Sequence, residues 1–241
     1  MNIAIVGYGK MGVQIETAAL ERKHEIVARI DNEKEWSNQE KGLKMADVAI
    51  DFSTPEAVVD NIYKCFELNL PIVVGTTGWH RQLETVKSRC LKENKSLIYA
   101  FNFSLGVNIF FALNRILAKI MNNYNAFDVN IKEIHHTEKK DSPSGTAIVL
   151  ANDIIEHLSR KETWINETSN NTSELSIESE RISNNIGTHT VSYSSPLDII
   201  EITHKSLDRK NFAIGAVLSA EWLMDKKGFF SINDMLQIVE N

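Results

Sequence analysis

Cysteine is nearly absent. The two in 241 residues, Cys65 and Cys90, lie far apart and show neither CxxC nor Cys/His spacing, which excludes a disulfide framework or a zinc module from local pattern. Both fall in segments that read as helices, so buried free thiols are expected. A basic excess is also missing. Lys and Arg number 26 against 32 Asp and Glu, the formal net charge is -6 and the sequence pI is about 5.7. The scattered cations offer no extended face to a phosphate backbone, so nucleic acid is not an expected partner. An anionic ligand would need a local cationic pocket set into an acidic surface. No apolar run approaches the roughly 20 residues that a membrane span requires. The opening Met1-Asn2-Ile3-Ala4-Ile5-Val6-Gly7 has no basic region and no small-residue cleavage site. The expectation is a cytoplasmic protein without a membrane partner.

What the chain does have is 43% hydrophobic residues, enough for a sizeable core in one large domain or two modest ones. Residues 2–6 are a short branched run, and Met11, Ile15, Ala18 and Ala19 follow at helical spacing. Residues 26–30 form a second apolar run ending at Asp31. A third, 48–52, ends at Ser53-Thr54-Pro55, where Thr54 suits an N-cap and Pro55 the first helical position. Residues 71–74 and 97–99 read as further strands, separated by a helix ending near Glu93. Strands alternating with helices over a hundred residues predict a doubly wound parallel sheet covered on both faces.

After Asn102-Phe103-Ser104-Leu105-Gly106 the rhythm changes. Two helical stripes (Ile109, Leu113, Ile116, Leu117 and Ile120, then Ala147, Leu150, Ala151, Ile154 and Leu158) flank an extended segment at 129–134. Residues 159–185 are polar and read as a mobile loop or weakly ordered stretch. Alternating runs at 188–193 and 199–204 read as half-exposed sheet. A helix over 213–224 and a short one from Asn233 close the chain. The pattern predicts a Rossmann-like fold with an inserted α+β domain: residues 1–105 plus 216–241 for a dinucleotide, residues 106–215 for a substrate.

Gly7-Tyr8-Gly9-Lys10-Met11-Gly12 is GxGxxG between a strand and a helix. The first glycine allows a tight turn, the second lets backbone approach a pyrophosphate, and the third lets helix and strand pack closely at a positive helix end. Asp31, 24 residues after Gly7, is placed to hydrogen-bond ribose hydroxyls. It would repel a 2′-phosphate, so NADH should be preferred, with NADPH possible because Arg29 and Lys34 are near. Gly75-Thr76-Thr77-Gly78 follows a strand's C-terminal end, where open parallel sheets bind ligands; an ordinary helix-capping turn is the alternative.

Glu133 to Ala147 reads Glu-Ile-His-His-Thr-Glu-Lys-Lys-Asp-Ser-Pro-Ser-Gly-Thr-Ala. It sets two imidazoles and an ammonium just ahead of a helix start, so these can converge with free N–H groups on one small anion. Ser144 and Thr146 hydroxyls and the Gly145 and Thr146 amides would hold a carboxylate there. Adjacent residues of a strand face opposite sides, so His135 and His136 can share a ligand only where the strand ends. Metal ligation is the rival reading, but no further His or Cys stands at ligand spacing, and no metal is expected. A solvated polar loop before a capped helix is the bland alternative.

The segment resembles the pattern of the 4-hydroxy-tetrahydrodipicolinate reductase family, E-x-H-H-x-x-K-x-D-x-P-S-G-T-A, at every fixed position. The resemblance extends to the glycine turn, Gly75-Thr76-Thr77-Gly78, Asn102-Phe103-Ser104-x-Gly106-Val107-Asn108, Glu201-Ile202-Thr203-His204 and Phe212-Ala213-x-Gly215-Ala216-Val217. It implies that His135 gives or accepts a proton, that Lys139 is the proton donor, and that His136, Gly145 and Thr146 bind substrate. It implies cofactor contacts at Gly7, Tyr8, Gly9, Lys10, Met11, Gly12, Asp31, Gly75, Thr76, Thr77, Ala100, Phe101, Asn102 and Phe103. It further implies a homotetramer built through the sheet of the second domain, and NAD(P)H reduction of a cyclic dicarboxylate, with loss of water, in diaminopimelate and lysine synthesis. Cofactor and substrate would then sit on different domains whose closure excludes water. Against this stand another two-domain nicotinamide reductase and a non-catalytic NADH-sensing module, which share the first domain but do not require His-His-x-x-Lys before Ser-Gly-Thr. The stretch from about Arg160 to Gly187 is shorter and more polar than the family's, and Arg181 carries no assigned role.

Overall fold

The computed structural model describes residues 1–238 and forms two compact units, one of Met1–Leu105 with the chain from Lys210 onward, the other of Gly106–Arg209. In the first, the order is β1 (Asn2–Val6), α1 (Lys10–Glu21), β2 (Glu25–Ile30), α2 (Glu33–Asn38), α3 (Glu40–Met45), β3 (Val48–Asp51), α4 (Val58–Glu67), β4 (Ile72–Val74), α5 (Leu83–Lys92) and β5 (Ser96–Tyr99). The second unit holds α6 (Leu105–Met121, its first residue in unit one), β6 (Asp128–His135), α7 (Gly145–His157), β7 (Thr163–Ile165), β8 (Glu174–Arg181), β9 (Gly187–Ser194) and β10 (Ile199–Ser206). The chain then returns as α8 (Lys210–Leu223), β11 (Gly228–Ser231) and α9 (Ile232–Leu236).

The first sheet runs β11-β5-β4-β3-β1-β2, and all of its pairings are parallel. Period-two alternation sends Ile3, Ile5, Val48, Ile50 and Val73 into one core with α1 and α8. Ala4, Val6, Ala49, Ile72 and Val74 enter another with α4 and α5. Helices on both faces make the sheet doubly wound. From β1 the chain pairs to β2 on one side and β3 on the other, a switch point that opens a crevice at the strands' C-terminal ends.

Several expectations are corrected here. The helix after Pro55 begins at Val58, because the Thr54 carbonyl accepts from both Ala57 and Val58 N–H in a loose turn first. Two short helices, α2 and α3, occupy the β2 to β3 connection, the first with an Asn32/Glu35 capping box. The sixth strand, β11, lies in the aromatic stretch near Phe229 and pairs parallel to β5. The chain rejoins the first unit at Lys210, ahead of the 215/216 division expected, since α8 is one continuous helix whose Ala213, Ala216, Val217 and Ala220 pack in the first unit's core.

The second unit's sheet runs β10-β9-β6-β8-β7, antiparallel at β10-β9-β6 and parallel at β6-β8-β7. Phe110, Phe111 and Ala118 of α6 with Leu150, Ala151 and Ile154 of α7 cover one face, over Ile131, Ile177 and Val191. The largest correction is in residues 159–185, expected to be a mobile loop or weakly ordered stretch. They supply β7 and β8, and β8 hydrogen-bonds directly to β6. Only Leu175 and Ile177 of β8 are buried hydrophobics, so a Ser- and Glu-rich outer face masks the alternation. Among the described residues no helix is long and apolar enough to cross a membrane.

Candidate functional site

In the first unit the glycine turn follows β1. Gly7 has φ +85, and a Cβ there would lie 2.3 Å from the Phe52 carbonyl oxygen. At Gly12 it would lie 2.4 Å from the Gly7 carbonyl oxygen, so both positions exclude a side chain by contact with the protein itself. Gly9 differs: a Cβ there would meet nothing within 4 Å. It is the N-cap of α1 and contributes no side-chain cap, and the first turn carries no acidic residue. Open space at an uncapped, positive helix end fits a pyrophosphate. Lys10 is exposed at the first position of α1, while Met11 packs into the core.

Asp31 is exposed just beyond β2, and its Oδ1 accepts from Tyr8 N–H at 2.9 Å, which ties the glycine turn to the carboxylate. A cleft of about 290 Å³ beside it is lined by Gly7, Asp31, Trp36, Ser53 and Asn61 among others. Arg29 is paired with Glu16 at 2.5 Å and so does not stand free beside this cleft.

At the ends of β3 and β4 a polar knot is present that the sequence did not announce. Asp51 is fully buried and accepts from Thr76 Oγ1 at 2.6 Å, Asn61 Nδ2 at 2.9 Å and Ser53 N at 3.1 Å. Burial, the largest influence, raises its pKa against these hydrogen bonds. Thr76 also accepts from Ser53 N at 2.8 Å, so its hydroxyl faces the knot while Thr77 is exposed. A Cβ at Gly75 would meet the Phe52 ring at 2.2 Å. Of the next loop, Ala100 and Phe103 are buried, Phe101 is exposed, and Asn102 Oδ1 accepts from Ser104 N at 2.8 Å.

In the second unit Glu133 and His135 share the buried face of β6, and the strand ends at His135, which frees His136 from the alternation. Glu133 is fully buried and holds several elements together. Both its oxygens accept from Ser144 N at 3.1 Å, Oε1 accepts from Ser179 Oγ at 2.9 Å, and Arg181 Nη1 lies 3.5 Å away. His135 Nδ1 and His189 Nε2 each stand 3.6 Å from Oε2. Burial works against the charge on Glu133, but the His189 imidazole beside it and the hydrogen bonds from Ser144 and Ser179 more than offset it and hold the pKa at about 2. His135 is lowered to about 4, first by burial and then by His189, whose ring lies edge-on at 5.0 Å.

Ser144 is the N-cap of α7, and its Oγ accepts from Ala147 N at 3.2 Å and bonds His189 Nε2 at 3.0 Å. The hydroxyl expected to hold a carboxylate is therefore buried and already engaged. Gly145 and Thr146 lie at the open end of the helix, and a Cβ at Gly145 would meet nothing within 4 Å. As at Gly9, packing within the chain does not demand this glycine.

Lys139 Nζ donates to both Asp141 oxygens at 2.7 Å. Arg209 Nη2 donates to His136 Nε2 at 3.0 Å, and these two line a cleft of about 450 Å³ with Asn184 and Asn185. Arg181 donates to the Asp141 carbonyl at 2.6 Å, which brings it to the site. His189 and Arg209 were missed, and Arg181 was left without a role, because strand pairing sets Arg181 opposite His135 and His189 opposite Glu133, while Arg209 reaches His136 from beyond β10. His189 also changes the metal argument: Glu133, His135 and His189 offer ligand atoms within 4.8 Å of one another, although the glutamate's oxygens already serve Ser144 and Ser179.

Two family models match in succession, "Dihydrodipicolinate reductase, N-terminus" over residues 1–103 and "Dihydrodipicolinate reductase, C-terminus" over residues 106–236. A 4-hydroxy-tetrahydrodipicolinate reductase of Christiangramia forsetii is 47% identical over 237 residues, 98% of each chain. One from Thermosipho africanus is 33% identical over 239 residues, again 98% of each. Among solved structures, a dipicolinate-bound dihydrodipicolinate reductase from Paenisporosarcina sp. TG-14 is similar with TM-score 0.77 and 26% identity, covering 96% of this chain and 97% of that one.

Proposed function

The chain belongs to the dihydrodipicolinate reductase family, and from that premise we propose how its residues divide the work of the reaction. The activity is NAD(P)H-dependent reduction of 4-hydroxy-tetrahydrodipicolinate to tetrahydrodipicolinate with loss of water, a step of diaminopimelate and lysine synthesis. The reduced nicotinamide, when bound, supplies the hydride.

The first unit holds that cofactor. Gly9 and the α1 N-terminus take the pyrophosphate, and Asp31 takes the adenosine ribose. Gly7, Tyr8, Lys10, Met11 and Gly12 shape the turn, while Gly75, Thr76, Thr77 and Ala100, Phe101, Asn102 and Phe103 form the neighbouring loops at the strands' C-terminal ends. NADH is preferred over NADPH. An exposed carboxylate at Asp31 repels a 2′-phosphate, and Arg29 is already held by Glu16.

The second unit holds the dicarboxylate. Free N–H groups at Gly145 and Thr146 receive one carboxylate at the positive end of α7. His136 and Arg209 supply cationic and hydrogen-bonding groups beside it, and Ser144 fixes the helix end through its cap. Hydride addition leaves electrons on the ring that a positioned acid must neutralise. Lys139, oriented by Asp141, is that acid. With a pKa of about 4, His135 is uncharged at neutral pH, a weak base whose ring nitrogens can give or accept a hydrogen bond beside the acid. The observation that carries this reading is the Glu133 carboxylate, which fixes the His135 strand to the start of α7.

The protein acts as a homotetramer, a reading supported by the edge strand β10, where Ile199 is 67% and Ile200 41% exposed. One assay tests the assignment: oxidation of NADH and of NADPH followed by absorbance with enzymatically generated substrate, with and without pyridine-2,6-dicarboxylate. The expected result is turnover with both, a higher kcat/KM for NADH, and inhibition competitive with substrate. A clearly higher kcat/KM for NADPH refutes the preference, and no inhibition at millimolar dicarboxylate refutes the substrate site.

A further inference from the structure

Glu16 lies on α1 and reaches the end of β2, where it takes both arms of one guanidinium. Arg29 Nε donates to Oε2 at 2.9 Å and Nη2 to Oε1 at 2.5 Å. The Tyr8 hydroxyl donates to the same carboxylate, and the guanidinium lies 5.7 Å from the centroid of the Tyr8 ring. Tyr8 is also the residue whose N–H binds Asp31 Oδ1. The cation is thus held one side chain away from the ribose carboxylate. It stands two residues before Asp31, near the C-terminal end of β2.

A 2′-phosphate would put negative charge where NADH carries only a hydroxyl, next to Asp31. Tolerating it requires a cation, and a guanidinium is the best suited because its planar fork pairs two phosphate oxygens at once. Arg29 has the chemistry and the position, but the Nε/Nη2 edge of its guanidinium is already taken by Glu16. The Glu16 side chain is 17% exposed and that of Arg29 42%, so solvent partly screens the pair, and the two-pronged geometry is what holds the guanidinium.

We propose that Glu16 is a specificity-determining residue for the cofactor: it acts through Arg29, withholding that guanidinium from a 2′-phosphate. The proposal rests on Asp31 marking the ribose site. It adds a second, indirect layer to the discrimination, in which a neutralising group is present but occupied.

The test is the ratio of kcat/KM for NADPH to that for NADH in Glu16→Gln, Arg29→Ala and the double variant. Glutamine keeps the side chain's shape and a hydrogen-bonding oxygen while removing the charge that binds the guanidinium. Glu16→Gln should raise the ratio about tenfold, the scale of one charge-assisted hydrogen bond. The gain should vanish in Glu16→Gln/Arg29→Ala, and Arg29→Ala alone should leave the ratio unchanged. An unchanged ratio in a folded Glu16→Gln, or a gain that survives loss of Arg29, overturns the proposal. Should Glu16→Gln fail to fold, Arg29→Ala still decides: a fall in the ratio shows Arg29 already serving NADPH and overturns the idea. A wild-type preference for NADPH would refute the Asp31 reading by itself, while the response of the ratio to Glu16→Gln would still decide the role of Glu16.

Discussion

Lys139 and His135 differ in their surroundings more than in their spacing. Lys139 sits in a partly exposed loop with its ammonium on Asp141. His135 is buried and stripped of charge at neutral pH by burial and by His189. We expect Lys139→Ala and His135→Ala each to lower kcat by roughly a hundredfold, the usual scale for a general acid or its partner. The NADH dissociation constant, measured by fluorescence titration, should be unaltered, since neither residue belongs to the unit that carries the glycine turn. Wild-type turnover in either variant would remove that residue from the chemistry. The residue types of this site could be read from the chain, but their protonation could not. His135 has a low pKa first because the packed sheet buries it, and then because β9 sets His189 against it, 54 positions later in the sequence.

In the proposed division of work, two helix starts bind the ligands. Both α1 and α7 begin at a glycine-containing turn, and both leave N–H groups without an acidic side chain in the first turn. The difference lies in the cap: α1 has no side-chain cap, whereas α7 has Ser144, itself anchored by Glu133. Gly145→Val tests the α7 end. Since a Cβ there meets nothing within 4 Å, folding should be disturbed only slightly. The branched side chain should nevertheless cover the N–H groups, raising KM for the dicarboxylate at least about tenfold, the cost of one charge-assisted hydrogen bond. NADH binding should not change. Wild-type KM in Gly145→Val would show that the substrate carboxylate lies elsewhere. Gly12→Val makes the contrast, because its Cβ would strike the Gly7 carbonyl at 2.4 Å and should cost both α1 packing and NADH affinity.

For the whole molecule, the buried titrating groups predict how stability depends on pH. His135 falls from an ordinary 6.5 to about 4 on folding, so the unfolded chain takes up the proton first. Its contribution is complete above pH 6.5 and is lost as pH falls toward 4. Glu133, lowered from 4.5 to about 2, has the same sign, with its contribution lost between those values. Asp51 runs the other way: its pKa is raised by burial, so it favours the folded state as pH falls. The melting temperature of the ligand-free protein should therefore drop as pH is lowered from 6.5 to 4, and the slope should be shallower in His135→Gln. An identical slope in that variant would show that His135 titrates normally. Bound dicarboxylate should oppose the loss, because it stabilises only the folded chain.

Local pattern alone determined the alternation of strands and helices to Tyr99, the glycine turn with Asp31, and the motif from Glu133 to Ala147, since period, capping and turn chemistry are properties of neighbouring residues. The tertiary structure decided what depends on distant pairing. It made β8 a sheet strand out of a polar stretch, brought His189, Arg181 and Arg209 to the motif, and buried Asp51 in a polar knot. It turned Ser144 inward as a cap and locked Arg29 onto Glu16. A side chain's partners, and with them its charge and availability, are fixed only when remote segments pack, so the sequence named the chemical groups and the fold assigned which of them are free to act.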